Sequence, residues 1–382
     1  MLGKKLGLLG VMIIGSSLAF TACGGSDDGD SNASGGSGGS GANGGSGGTG
    51  GGTGGTGGAV EDGTCADGAT CTLPPEAPAS PTAPSGDAVT FAVSKIYLGD
   101  TTRDGTPDSK AWQQFGYNLD GIVSTKNGSN HCTPQMGANP SLVKTDGPGG
   151  VDNAFGANLL SIILGVAPTA GDDINQSVLD GDFTIMIHNE ALGSEPNQGP
   201  IKAALYGGAK LEGGPKFDGS DMWPVTPELL NNGDINSPKV TFDTAFVTDG
   251  TWVSGSNATV TLNISIQGFS LNLVITNAVI TADISDQSNI TGGVIAGVLD
   301  TEGLIEELRK VAGALDSSLC SGSTFDSIAT QIKAASDLMK DGTNGPGQTC
   351  DGISIGLGFD AKPVQLGPVA DPSTPGEDPC AM

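Results

Sequence analysis

The stretch from Gly250 to Ala282, GTWVSGSNATVTLNISIQGFSLNLVITNAVITA, constrains the fold more than any other, because it contains no Asp, Glu, Lys or Arg. An uncharged run of this length invites a membrane helix, which needs roughly 20 apolar residues. Its residue order argues against one. From Thr259 to Gln267 the side chains alternate, with Val260, Leu262, Ile264 and Ile266 on one face and Thr, Asn, Ser and Gln on the other. A period of two is that of a strand with one buried face. Phe269–Ile275 and Ala278–Ile284 read as two further strands, separated by Gly268 and Asn277. The chain must therefore build a sheet here.

Other segments carry the same two signals, period two for strands and 3.6 for helices. Val89, Phe91 and Val93 alternate, as do Phe183, Ile185 and Ile187. Phe155, Leu159, Ile163 and Val166 predict an amphipathic helix with Asp152 as its N-cap. Thr226-Pro227-Glu228 starts, and Gly233 ends, a short helix. Beyond Gly293, Leu304, Ile305, Leu308, Val311, Ala312 and Leu315 mark one helix, capped near Asp300 or Thr301 and supported by a Glu306–Lys310 pair. Ser323 caps a second helix with the stripe Phe325, Ile328, Ala329, Ile332, Ala335 and Met339, closed by Gly342. In GISIGLGF, Ile353, Ile355, Leu357 and Phe359 alternate with Gly356 and Gly358, which points to a closing strand under a close neighbour. The expected class is α+β, a mainly β sandwich-like domain with a helical hairpin inserted before the last strand.

The N-terminus reads as an address. Lys4 and Lys5 precede the apolar run Leu6–Phe20, and Thr21-Ala22 are the small residues of a cleavage site. About 15 mostly apolar residues are too few to span a bilayer. Leu18, Thr21, Ala22, Cys23 and Gly24 resemble the lipobox of bacterial lipoproteins. That resemblance implies that Cys23 becomes the first mature residue and carries a thioether-linked diacylglycerol plus an N-acyl chain. Several acyl chains, at ~0.8 kcal/mol per buried methylene, anchor a protein effectively permanently. Gly24, standing where an Asp would retain the protein at the inner membrane, implies an outer-membrane destination, facing the cell surface or the periplasm.

Five segments follow: a signal peptide at 1–22, a tether at 23–58, a Cys loop and Pro-rich spacer at 59–86, a globular domain at 87–370 and a tail at 371–382. From Gly35 to Gly58 sixteen of 24 residues are Gly, so this stretch cannot bury a core. As a flexible coil, Cys23 to Gly58 reaches roughly 30–36 Å. The tether also matches Gly-x-Ser-x-Gly and Gly-x-Gly-x-x-Gly, but without a strand and helix around them these are composition alone.

Charge narrows the partners. Without residues 1–22 the chain has 42 acidic against 14 basic side chains, which disfavours nucleic acid, whose binding rests on Lys and Arg. Membrane contact should then come through the lipid anchor. With Cys23 set aside, Cys65, Cys71, Cys132, Cys320, Cys350 and Cys380 form an even set in an exported chain and read as disulfides. Cys65–Cys71 and Cys320–Cys350 are the expected local bridges, leaving Cys132 for Cys380. Two histidines and no clustered ligand pattern disfavour zinc.

Asp100, Thr102, Asp104, Gly105 and Asp108 fall at positions 1, 3, 5, 6 and 9 of a calcium loop. The spacing resembles thrombospondin type 3 and EF-hand loops, and implies a weak Ca2+ site, because Ala111 replaces the bidentate Glu at position 12. A plain Asp-Gly turn explains the same letters. Asp146, Asp152, Asp172 and Asp173 could add ligands only if the fold gathers them. His188, beside Glu190, is the one candidate general base, with no nucleophile motif to serve it. Trp112, Trp223 and Trp252 could stack sugars or fill the core.

GPGGVDNAFG, GVLDTEGLIEEL and CDGISIGLGF make the globular part similar to uncharacterised exported lipoproteins of predatory or social Gram-negative bacteria. That resemblance implies an address and no activity. The expected function is a membrane-anchored surface lipoprotein with a non-catalytic β-rich binding or structural domain for an extracellular glycan or protein. The competing expectation is a membrane-tethered hydrolase acting on extracellular polymers, possible if carboxylates converge.

Overall fold

The computed structural model describes residues 62–65, 70–136, 142–255, 258–266, 269–315, 317–372 and Cys380, all within one compact unit, Gly57–Met382. Expectations about the signal segment, Cys23, the glycine tether and most of the C-terminal tail lie outside these residues.

The described strands are β1 (Gly63–Thr64), β2 (Val89–Tyr97), β3 (Ile122–Val123), β4 (Thr184–Asn189), β5 (Gln198–Gly208), β6 (Met222–Val225), β7 (Val240–Thr248), β8 (Thr251–Val253), β9 (Ala258–Ile266), β10 (Phe269–Asp283), β11 (Ile290–Asp300) and β12 (Gly352–Val369). The α-helices are α1 (Leu160–Val166), α2 (Ala170–Leu179), α3 (Thr301–Leu315) and α4 (Ser323–Ala334). The protein is α+β and mainly β.

Eight strands pair in a closed ring, β2–β4–β5–β7–β8–β10–β11–β12 and back to β2, with all neighbours antiparallel. The 18-residue β12 closes it, setting Gly358 opposite Val294 on β11 and opposite Tyr97 on β2. The layout is thus a barrel where a sandwich-like body was expected. Alternation has the same period in both, and only the long-range pairing of β11 with β12 tells them apart. β9 pairs with the first half of β10 and extends that side of the ring.

An eight-stranded barrel has an interior just wide enough for side chains to fill or for one small ligand. Here Phe91, Val93, Ile185, Ile187, Leu205, Ile295, Ile355 and Phe359 fill it, leaving a void of only about 10 Å³ beside Ile185 and Leu357. The outer face is covered too. Trp223 and Val225 of β6, with Leu230, pack over Ala92, Met186, Ala204 and Tyr206, which explains why β4 is buried on both faces. Phe115 lies over the two β12 glycines: a Cβ on Gly356 would stand 2.1 Å from the Phe115 carbonyl oxygen, and one on Gly358 2.3 Å from its ring. This is the close approach that GISIGLGF predicts.

Several element boundaries differ from expectation. β10 is a single strand running through Asn277, whose φ of 48° and local register shift mark a β-bulge. The helix expected after Asp152 starts with a turn of π-helix at Phe155–Leu159. Asn153, not Asp152, serves its start, the Gly156 N–H donating to Asn153 Oδ1. Asp300 Oδ1 accepts the Gly303 N–H at the start of α3, as expected. Glu306 pairs with Arg309 and Glu307 with Lys310, one residue short of the predicted spacing. α4 ends at Ala334, because Leu338 leaves the helix to bridge Gly352. Pro227–Leu229 forms only one 3-10 turn.

Candidate functional site

The helices enter from two connections, α1 and α2 between β3 and β4, and α3 and α4 between β11 and β12. Their apolar stripes join the barrel core through Leu159, Ile174, Leu304, Phe325 and Ile332. They leave a cavity of about 140 Å³ between Phe155 and Ile163 on one side, Leu308 and Ile328 on the other, and Leu271 and Leu273 of β10. Every lining side chain is Leu, Ile, Val, Phe or Ala. An apolar cavity of this size has room for a small apolar molecule such as benzene. Ile162, Ile163, Leu308, Val311 and Ile328 are only half-buried, so this wall also reaches the surface.

A second feature is a set of buried and half-buried carboxyl groups that includes two of the singled-out acids. Asp146 Oδ2 accepts the Ser124 N–H at 2.5 Å, and Asp152 Oδ2 accepts the Leu119 N–H at 2.6 Å. The two carboxyl groups influence each other's titration. Asp120 Oδ2 accepts from Asn344 Nδ2 at 2.7 Å, and Asp337 accepts from the Ser354 N–H and hydroxyl. Burial dominates their titration, and mutual repulsion adds to it. Asp146 is pushed up to about 8, Asp337 to about 7, and Asp120 and Asp152 rise as well. Burial lowers the Lys144 pKa, against the opposing pull of the Asp337 carboxylate. Asp62 goes the other way: burial opposes ionisation, but bonds from Thr125, His131 and Asn130 outweigh it. Asp172 and Asp173 do not join this set; they sit in the first turn of α2, where Asp173 accepts from Thr169.

The calcium-like loop closes on its own bonds. Asp104 Oδ1 accepts from the Thr102 hydroxyl and from the Thr106 N–H, Asp108 Oδ1 accepts from the Lys110 N–H, and the Asp108 N–H donates to the Asp100 carbonyl. Arg103, which the spacing argument passed over, anchors the loop to the barrel. Its guanidinium lies 4.9 Å from the Phe115 ring centre and 5.4 Å from that of Tyr97, and donates to the Gly293 carbonyl at 2.8 Å. Among the described residues no group of three or more His, Cys, Asp or Glu side chains is arranged to hold a metal ion.

The other candidates are engaged structurally. His188 Nδ1 lies 2.8 Å from the Thr90 hydroxyl, its ring packs edge-on to Tyr206, and burial lowers its pKa. Trp223 and Trp252 are fully buried, donating to the Ala209 carbonyl and to Asn189 Oδ1.

Two of three expected disulfides are corrected. Cys65–Cys71 forms, but Cys132 pairs with Cys350 and Cys320 with Cys380. Thr133 bridges Thr349, and the Cys350 N–H donates to the Thr133 carbonyl, which holds Cys350 beside Cys132. The 12 residues of α4 carry the chain about 18 Å from the corner where Cys320 stands. No loop return brings Cys350 back to it.

Among the described residues no helix is long and apolar enough to cross a membrane. Comparison of the chain with protein-family models, curated proteins and solved structures found no match.

The helix stripes face the core as the sequence predicts, and part of them also lines the cavity. Leu308, Val311, Ala312, Phe325, Ile328 and Ile332 were legible as helix stripes facing a core. The same stripe lines a void or fills one, depending on how far apart the helices stand, and no local pattern encodes that separation.

Proposed function

We propose that this protein is a lipid-anchored lipoprotein of the outer membrane whose capped barrel is a non-catalytic binding domain. The apolar cavity under the helices carries the choice of binding over scaffolding. A packed scaffold gains by filling such a void, since unfilled volume costs about 24 cal/mol per Å³. A hydrolase needs a proton-transfer group beside its substrate, and no lining side chain of this cavity titrates. The lipobox-like residues ending at Cys23 support the anchor, and the acidic balance supports contact with membrane through acyl chains alone.

Two measurements test this reading. Cys23→Ser should move the protein from the membrane to the soluble fraction; retention through detergent-free washing contradicts the anchor. The released chain should brighten N-phenyl-1-naphthylamine, an uncharged dye that fluoresces in apolar surroundings, and no response contradicts a binding domain. A weak calcium site at Asp100, Thr102, Asp104 and Asp108 is part of this proposal. A melt in about 2 mM calcium should run a few degrees above one in chelator, and identical melts contradict the site.

A further inference from the structure

We infer that the cavity takes the end of an unbranched alkyl chain whose head group is uncharged and stays outside. The inference rests on the binding reading above and names the ligand's chemistry.

The wall offers no hydrogen-bond partner, so the inserted part of the ligand carries no polar atom, since burying one unpaired costs several kcal/mol. The volume of about 140 Å³ sets the length that enters. A benzene-sized void holds roughly six carbons. The half-buried Ile162, Ile163 and Leu308 continue the apolar wall to the surface, so a longer chain can lie along them with its head in water. Charge selects the head. Along α3 the cations are already paired, Arg309 with Glu306 and Lys310 with Glu307, and on α4 Lys333 pairs with Glu302. The whole chain carries a formal net charge of −26, so an anionic head is repelled.

The test is displacement of N-phenyl-1-naphthylamine from the full Cys23→Ser chain at pH 8. Affinity of n-alkanols should rise about fourfold per methylene from butanol to hexanol, the equivalent of ~0.8 kcal/mol each, and more slowly beyond. Octanoate should bind at least tenfold more weakly than 1-octanol. Ala312→Trp, filling the cavity from α3, should abolish displaceable binding, and Ile163→Trp, filling it from α1, does the same if Ala312→Trp fails to fold. Val274→Ser, on a half-exposed strand position outside the cavity, should change nothing. Dye binding that alkanols do not displace overturns this inference and leaves the binding reading standing. Octanoate equal to octanol, unchanged binding in both Trp variants, loss in Val274→Ser, or self-association that buries the cavity also overturns it.

Discussion

At the scale of single residues, Asp146 and Asp152 make the sharpest contrast between letters and fold. The sequence marks Asp146 as a turn residue and Asp152 as a helix cap, yet the fold gathers them with Asp120 and Asp337, each accepting a backbone N–H. A carboxyl group whose native pKa lies above its unfolded value near 3.9 holds a proton that the unfolded chain has released. Its contribution is fully present below about pH 4 and is lost as pH rises to about 8, the value to which Asp146 is pushed. The protein should therefore melt several degrees higher at pH 5 than at pH 8.5. Asp146→Asn, which keeps an oxygen for the Ser124 N–H, should raise the pH 8.5 melting temperature by a few degrees and flatten the profile. A variant as pH-sensitive as its parent would contradict this account. Asp62, whose pKa is lowered, acts in the opposite sense and only toward acid pH.

At the scale of elements, strands and helices were legible where one face is buried, and their ends were not. The alternation in Thr259–Gln267 shows β9, and the Gly-x-Gly of β12 shows a close neighbour, because burial of one face writes itself into local order. Asn277 looked like a break between strands because Asn favours turns. Pairing with β9 on one side and β11 on the other carries β10 through it as a bulge. The disulfides failed for a related reason: Cys350 is placed by β12 pairing and Thr133, 218 residues along the chain from Cys132. In the chain-entropy account, closing that loop stabilises the fold by about 5 kcal/mol, against about 2 kcal/mol for Cys65–Cys71. Replacing Cys132 and Cys350 by Ser should thus cost far more in denaturant melts than replacing Cys65 and Cys71. Peptide mapping without reduction should recover Cys132 joined to Cys350; Cys320 joined to Cys350 would refute the observed connectivity.

At the scale of the molecule, a filled barrel with a hollow helical cap divides the work. The interior around Ile185 and Phe359 is packed, so stability resides there, and the unfilled volume collects where α1, α3 and α4 meet β10. None of this was legible in sequence, because ring closure and helix spacing are decided by contacts between distant segments. The most direct measurement is a methyl NMR titration of the Cys23→Ser chain with 1-octanol. Shifts confined to methyls of Leu159, Ile163, Leu273, Leu308 and Ile328, saturating together, are the expected result. Shifts centred on the exposed Leu73, Leu179, Met222 or Val274, or no saturable shifts at all, would contradict the claim that this cavity is the binding site.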